Sequence, residues 1–198
     1  MIGSLAIDIA ELEYEVDQSV EGPMTTGQTN FIAELLESYK SGQKTPSVSD
    51  YQQLRSIYDG RETEHKRHES DYRLIDQQTG DRYLVELKIG GDLDNKKARS
   101  EKVALLEQYT ILCNTLGDED AHIRFGTAYN KDGEGNRWRQ GRVRQYFAED
   151  ELLIGKEFWN FICNSETGYQ DVLRAYQQNS YLIMDALESI KQTYLYDH

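Results

Sequence analysis

Asp71, Glu86 and Lys88 are the residues whose types and spacing could best carry out chemistry. Side chains alternate between the two faces of a strand, so Glu86 and Lys88 point the same way if they lie on one strand. If Asp71 opens the neighbouring strand of a hairpin, its carboxylate reaches the same end of the sheet. Two carboxylates and one ammonium group then converge on a small volume.

Such a cluster is suited to cleaving a phosphodiester bond. Two carboxylates provide hard oxygen ligands for Mg²⁺ and leave coordination positions for water and phosphate oxygens. The cation stabilises the charge that develops on the scissile phosphate, and Lys88 can orient the attacking water or help to deprotonate it. The alternative is an ordinary solvated strand face with a cross-strand salt bridge, which the three residues taken alone favour.

The elements that must position this cluster are predicted from turn residues and hydrophobic spacing. Residues 71–76 and 82–89 are rich in β-forming side chains and flank a connector that contains Gly80, which predicts a β-hairpin. Residues 92–95 can then cap a long helix over 96–116, which carries a buried stripe.

The rest of the chain is predicted to be mainly helical. The further elements are helices over 5–16, 30–40, 156–163 and 168–196, a short helix over 50–58, a loop over 61–69, and strands over 122–129 and 137–147. This order indicates an α+β fold, with a central, mostly antiparallel or mixed sheet flanked by helices. A length of 198 residues indicates a single domain, with a helical N-terminal segment (residues 1–60), a core of about 61–147 and a helical C-terminal segment (residues 148–198).

The net charge of −13 argues at first against a nucleic-acid partner, because binding to a polyanion normally requires a basic surface. The acids are concentrated at the two ends: residues 1–50 hold 9 acids and 2 bases, and residues 147–198 hold 9 acids and 3 bases. Residues 122–146 hold 6 bases and 2 acids, a net charge of +4. A local anion-binding face is therefore compatible with the overall charge.

This sequence lacks the patterns that are typical of several classes of protein, and those classes are therefore excluded. The apolar runs are far shorter than the roughly 18 residues that span a bilayer, so no membrane partner is expected. The first residues show no secretion signal, and Cys113 and Cys163 are too few for a disulfide framework or a zinc site. We therefore expect a cytoplasmic protein. A Walker loop, a glycine-rich dinucleotide turn and a Ser-His-Asp order are also missing.

The segment around the cluster resembles the PD-(D/E)XK nuclease superfamily, whose motif is an acidic residue, a variable gap and an acid-x-Lys triplet on a strand. Ser70 stands where the name of the superfamily has proline. The string Glu86-Leu-Lys-Ile-Gly-Gly-Asp-Leu-Asp-Asn-Lys-Lys97, with Gly155-Lys-Glu-Phe-Trp-Asn-Phe-Ile162 downstream, is similar to the type II restriction endonucleases grouped with TdeIII. The similarity covers roughly residues 60–165.

This resemblance implies an enzyme that uses Mg²⁺, with Mn²⁺ as a substitute. It implies a homodimer that cuts both strands of a short palindrome in double-stranded DNA, of the GGNCC type, and leaves 5′-phosphates. Asp71, Glu86 and the backbone carbonyl of Leu87 would bind the metal. Glu34 on the N-terminal helix or Glu69 in the loop is a further candidate ligand, although each also fits a solvated side chain.

Two basic groups are candidates for contact with DNA. The first follows the hairpin and can position phosphates, or can be a solvated helix face; it comprises Lys96, Lys97, Arg99 and Lys102. In the second, arginine can read guanine and the glutamine can reach adenine or a phosphate; it comprises Arg137, Arg139, Gln140, Arg142 and Arg144. The alternative for the second group is a strand whose arginines pair with the acidic ends of the chain.

Three functions remain open on the sequence. The first is a sequence-specific endonuclease, which the context of the cluster favours. The second is another PD-(D/E)XK enzyme, such as a repair nuclease or a junction resolvase, because shape-specific resolvases are also rich in arginine. The third is a non-catalytic acidic protein, such as a DNA mimic or an immunity protein. The charge of −13 suggests the third function, whereas the placement of the acids at the two ends does not.

Overall fold

The structure is a computed structural model that describes residues 2–90, 93–117 and 121–181, without the side chains at 18 and 69–71. Its strands are β1 (Tyr14–Thr25), β2 (Thr63–Asp76), β3 (Arg82–Lys88), β4 (His122–Thr127) and β5 (Leu152–Ile154). Its helices are α1 (Ile2–Ala10), α2 (Thr26–Lys40), α3 (Asn95–Leu116), α4 (Gly141–Arg144) and α5 (Lys156–Ile162), and residues 168–181 are helical as well. Short 3₁₀ turns cover Val48–Asp50, Gln52–Arg55 and Glu149–Glu151.

The strands form one mixed sheet in which β1 to β5 lie side by side in sequence order. β1, β2 and β3 pair antiparallel, whereas β4 pairs parallel to β3 and β5 pairs parallel to β4. Parallel neighbours need a crossover, and α3 provides it between β3 and β4. The predicted α+β fold with a central sheet flanked by helices is confirmed.

Each face of the sheet has its own hydrophobic core, because neighbouring residues of a strand point to opposite sides. On β3, Leu84 packs into the core that α2 and α3 cover, whereas Val85 packs into the core formed with α1 and α5. An added Cβ atom at Gly126 on β4 would lie 2.4 Å from the ring of Phe158. The missing side chain at Gly126 therefore lets α5 pack directly on the sheet.

The helix α3 begins and ends close to the predicted positions. Asp94 caps its N-terminus by accepting a hydrogen bond from the backbone N–H of Lys97 at 2.8 Å. Gly117, with φ of +61°, takes the left-handed conformation that ends the helix. The prediction of a long helix after the hairpin is confirmed. Among the described helices, none combines the length and the hydropathy of a membrane-spanning segment.

A long β1–β2 ribbon replaces most of the predicted loop over 61–69 and the last three residues of the predicted helix over 5–16. Residues 61–69 lack apolar side chains, and their charged groups find partners in the fold instead. Lys66 and His68 lie 2.7 and 3.0 Å from the carboxylate oxygens of Glu107 on α3. Contacts with a remote helix therefore stabilise a strand that its composition does not predict, and the N-terminal segment is not all helical.

A bulge interrupts the pairing of β1 with β2. Asp17 is the Cα partner of Arg73, and Ser19 is the partner of Glu69. Residues 70–72 of β2 thus stand opposite a single residue of β1, and they include the first acid of the predicted cluster. Bulges of this kind bend a strand, and they are frequent beside active sites because they redirect side chains.

The predicted fourth strand over 137–147 is wrong. Residues 137–140 are irregular, and the short helix α4 follows them. Trp138 and Val143 are buried in the core on the α3 side, a spacing that a strand with alternating faces does not produce. The place beside β4 is taken by β5, whose three residues are too few to show a period.

Candidate active site at the end of strand β3

Glu86 and Lys88 lie at the carboxyl end of β3 and point to the side of the sheet that α3 covers. Lys88 Nζ donates a hydrogen bond to Glu86 Oε1 and lies 3.0 Å from Glu101 Oε1 on α3. The side chain of Glu86 is 12 % exposed and that of Lys88 is 29 % exposed. The two side chains share one face, as predicted, and are partly withdrawn from water while remaining accessible.

The neighbouring carboxylates keep Lys88 protonated. Burial acts to lower the pKa of Lys88, but the hydrogen bonds and charges of Glu86 and Glu101 outweigh it and raise this pKa above its ordinary value. At neutral pH the side chain is therefore an ammonium ion, which can orient a water molecule or a phosphate oxygen.

Asp71 lies in β2 beside Tyr72, whose Cα partner on β3 is Val85. Continued by one residue, this antiparallel register places the backbone of Asp71 opposite Glu86. The side chain of Asp71 lies outside the described portion of the chain, and so does that of Glu69. Their roles as metal ligands therefore stay predictions.

Leu87 lies between Glu86 and Lys88 and faces the other side of the sheet. Its Cα partner is Gly126 on β4, and its partly buried side chain packs against the core formed with α1 and α5. The strand end is thus held by α3 contacts on one face and by apolar contacts on the other. The proposed role of the Leu87 carbonyl as a metal ligand stays a prediction.

Glu101 joins the cluster, and sequence reasoning misses it. Its side chain is 26 % exposed, and it lies between Ala98 and Leu105, which are buried in the core that α3 covers. Residues three and four apart share one face of a helix, so this spacing places Glu101 on the buried side of α3. An acid at such a position, on the helix that follows the strand of the candidate cluster, is the signal from which it could have been found.

The carboxylate of Glu86 suits a Mg²⁺ ion in its chemistry. Mg²⁺ is commonly bound through one or two carboxylates, with water and phosphate oxygens completing its shell. Glu86 offers a partly buried carboxylate at an accessible strand end. In the described ranges, no group of three or more His, Cys, Asp or Glu residues could hold a metal ion. A site based on Glu86 therefore needs the carboxylate of Asp71 or oxygens from the phosphate.

Glu34 is exposed on α2, whose buried side contributes Ile32, Leu35 and Leu36 to the core. Glu37 is also exposed and pairs with Lys40 at 3.0 Å. The described contacts of α2 do not test Glu34 as a metal ligand, so that role also stays a prediction.

The basic side chains at the start of α3 differ in their exposure. Lys96 and Lys97 are exposed and Arg99 is half-buried, so these three remain candidates for phosphate contacts. Lys102 is 1 % exposed and pairs with Glu151, which is fully buried. The predicted contact between Lys102 and DNA is therefore wrong, because position 102 faces the interior of the protein.

The loop between β4 and α4 is organised by its own acidic side chains. Glu134 accepts a hydrogen bond from the backbone N–H of Lys156 at 3.1 Å, which ties the loop to the start of α5. Asp132 accepts one from the backbone N–H of Arg139 at 2.7 Å. Both carboxylates thus bind backbone groups, while the side chains of Arg137 and Arg139 are exposed on the loop.

The second basic group is divided between the surface and the interior. Arg142 is exposed, as are the two loop arginines. Arg144 pairs with Glu149 and lies 5.9 Å from the ring centroid of buried Trp138. Gln140 is 6 % exposed, so its predicted contact with a base or a phosphate is wrong. The error follows from predicting a strand, which would have placed alternate residues on one open face.

The second basic group lies beside α3, because α4, which carries Arg142, packs against that helix. The pKa of the Asp94 carboxyl is lowered by its hydrogen bond from the backbone of Lys97 and also by the charges of Lys97 and Arg142. We define the basic surface as the exposed side chains of Lys96, Lys97 and Arg142 together with Arg137 and Arg139 on the adjoining loop.

Comparison with known protein families gives a match over most of the chain. A family model described as type II restriction endonuclease, HinfI, matches residues 4–180. The matched range contains the whole sheet, the cluster at the end of β3 and the basic surface. No curated protein and no solved structure matches the chain.

Proposed function

The chain belongs to the HinfI family of type II restriction endonucleases, and from this membership we propose that it is a Mg²⁺-dependent enzyme that cuts both strands of a short palindrome. Because the chain belongs to this family, its partner is DNA and its activity is cleavage at defined sites. We assign the chemistry to a PD-(D/E)XK site formed by Asp71, Glu86 and Lys88. The observation that carries this assignment is the partly buried Glu86–Lys88 pair at an accessible strand end. A TdeIII-like GGNCC palindrome cut to leave 5′-phosphates is the first candidate for the specificity.

In this proposal the carboxylates of Asp71 and Glu86 and the carbonyl of Leu87 hold the ion, for which Mn²⁺ can substitute. When bound, Mg²⁺ supplies positive charge that stabilises the charge developing on the scissile phosphate. Lys88, as an ammonium ion, orients the attacking water or holds a phosphate oxygen. The antiparallel pairing of Tyr72 with Val85 supports this set of ligands, because it brings the adjoining backbone positions 71 and 86 together.

The basic surface would hold the DNA against this site. Lys96 and Lys97 contact phosphates, which fixes the position of the duplex without reading its sequence. Arg137, Arg139 and Arg142 are the candidates for reading guanine, because arginine can form two hydrogen bonds with its O6 and N7 atoms. The hydrogen bond between Asp132 and the backbone of the loop supports this role, since it holds the loop in shape before DNA binds.

Truncating an arginine that reads a base is expected to relax the sequence preference at one position. A lost bidentate contact costs about 1–3 kcal/mol of discrimination. Binding-site selection with Arg137→Ala, Arg139→Ala and Arg142→Ala in Ca²⁺ measures this preference without cleavage. Lys96→Ala and Lys97→Ala serve as controls, because losing a phosphate contact weakens binding evenly across sequences and flattens its salt dependence. If all three arginine variants kept the wild-type preference, base reading would lie elsewhere.

We expect a homodimer on DNA, because one cluster per chain cuts one strand and a palindrome has matching two-fold symmetry. Sedimentation equilibrium with a duplex that carries one site is expected to give two chains per duplex. The same duplex without the site is the control, and it should not hold a defined pair of chains. A monomer that cuts both strands in a single encounter would contradict the expectation.

Incubation of the purified protein with phage DNA and Mg²⁺ tests the proposed function against its alternatives. A restriction endonuclease produces discrete fragments that do not form when EDTA is present. A repair nuclease or a junction resolvase instead degrades the DNA without discrete fragments, or acts only on branched DNA. A non-catalytic DNA mimic leaves the DNA intact. Either of the last two results would overturn the proposal.

A further inference from the structure

We propose that Glu101 is a positioning residue that receives the ammonium group of Lys88 when a divalent cation binds to Glu86. The inference rests on the function proposed above and adds to it a role for a residue of α3. Glu101 would hold Lys88 at the strand end throughout the exchange and would not itself bind the cation.

The geometry begins with Lys88, whose Nζ atom contacts carboxylates from two different elements. Glu86 approaches it from β3 and Glu101 approaches it from α3 at 3.0 Å. The ammonium group and a divalent cation are both attracted by the carboxylate of Glu86. A cation that binds Glu86 therefore has to compete with Lys88, and like charges repel at such short distances.

Because Lys88 is partly buried, it needs Glu101 as a second carboxylate partner when it leaves Glu86. Lys88 is 29 % exposed, and a partly buried ammonium group that loses its counter-charge is unfavourable. With Glu101 in contact, Lys88 can leave Glu86 without becoming unpaired. It also remains beside the strand end, where the proposed reaction needs a positive charge.

The packing of α3 fixes the direction in which Glu101 points. Ala98 and Leu105, on either side of it, are buried in the core on this face of the sheet. The next residue, Lys102, is fully buried in its ion pair with Glu151, which fixes the rotation of this helical turn. Glu101 is thus held toward Lys88 by contacts that do not depend on the cation.

Cation binding can be measured without cleavage by titrating the enzyme–DNA complex with Ca²⁺ in a calorimeter. We expect Glu101→Gln to raise the Ca²⁺ concentration at half-saturation roughly tenfold, since Lys88 then competes for Glu86 with no other carboxylate to accept it. Glu101→Asp, which keeps the charge, should restore part of the loss. Glu15→Gln is the control, because Glu15 is an exposed carboxylate on β1, which does not pair with β3.

A double-variant comparison distinguishes this role from a direct ligand. Lys88→Met removes the competitor, so Ca²⁺ should bind this variant more tightly, and adding Glu101→Gln should then change the affinity by less than about twofold. If Glu101→Gln weakened Ca²⁺ binding equally in both backgrounds, Glu101 would be a ligand and the inference would be wrong. It would also be wrong if Glu101→Gln lowered only the melting temperature.

Glu86→Gln separates a failure of this inference from a failure of the proposed function. If Glu86→Gln abolishes Ca²⁺ binding while Glu101→Gln has no effect on it, the metal site stands and only the role of Glu101 fails. If Glu86→Gln leaves both Ca²⁺ binding and cleavage unchanged, the proposed site itself fails.

Discussion

Replacing Glu86 with glutamine is expected to lower the rate of DNA cleavage roughly a thousandfold or more, while the protein stays folded. Glutamine has nearly the same volume but lacks the negative charge that would hold Mg²⁺ and that pairs with Lys88. Lys88→Ala should cause a loss of similar size, because the group that orients the water or the phosphate is removed. Single-turnover cleavage at saturating Mg²⁺ measures both effects.

Two controls separate lost chemistry from lost structure. Glu15→Gln changes an exposed carboxylate on β1, away from the cluster, and should leave the cleavage rate near that of the wild type. Lys88→Ala should still bind specific DNA in Ca²⁺, because that variant retains the carboxylates of the site. Cleavage near the wild-type rate in Glu86→Gln or in Lys88→Ala would show that the chemistry lies elsewhere.

Glu151→Gln is expected to destabilise the fold by about 3–5 kcal/mol, since it leaves the buried charge of Lys102 without its partner. Lys102 is 1 % exposed and Glu151 is 0 % exposed. Burial lowers the pKa of Lys102, and the opposing charge of Glu151 acts to raise it. The ammonium group also lies 5.0 Å from the ring centroid of Tyr51 and 4.9 Å from that of Phe147. Urea denaturation followed by circular dichroism measures the change.

A second variant shows whether the loss comes from the unpaired charge. Lys102→Met in the Glu151→Gln background removes both charges and should recover much of the lost stability, because buried ion pairs can be replaced by apolar residues at little cost. Lys40 and Glu37 form an exposed ion pair that serves as a control. Replacing Lys40 with an uncharged residue should change the free energy of unfolding by less than about 1 kcal/mol. Equal stability of Glu151→Gln and the wild type would contradict the account of this pair.

The elements of the fold that could be predicted are those whose signals are local. The hairpin of β2 and β3 and the capped helix α3 carry their turn residues, caps and periodicity within their own segments. The first half of β2 could not be predicted in this way, because Lys66 and His68 are stabilised by Glu107 on a helix distant in sequence. A strand is predicted over residues 137–147, but the core contacts of Trp138 and Val143 determine the conformation of this segment.

In the candidate site, too, the features with local sequence signals could be predicted, whereas those that depend on tertiary packing could not. The shared face of Glu86 and Lys88 follows from the period of a strand, and the structure confirms it. The burial of Lys102 could not be predicted from the sequence, in which it is one of a run of basic residues. Only tertiary packing shows that it faces Glu151. The contact of Glu101 could not be predicted from its own segment, because its partner Lys88 lies on another element.

Sequencing the ends of the DNA fragments is the most direct test of the central claim, that this chain cuts DNA at a defined site through the cluster at the end of β3. Phage DNA is incubated in parallel with the wild-type protein and with Glu86→Gln in Mg²⁺, and the ends are ligated to adapters that require a 5′-phosphate. We expect the wild-type ends to share one short palindrome and the Glu86→Gln sample to yield no such ends. Ends without a common sequence, or the same ends from Glu86→Gln, would contradict the claim.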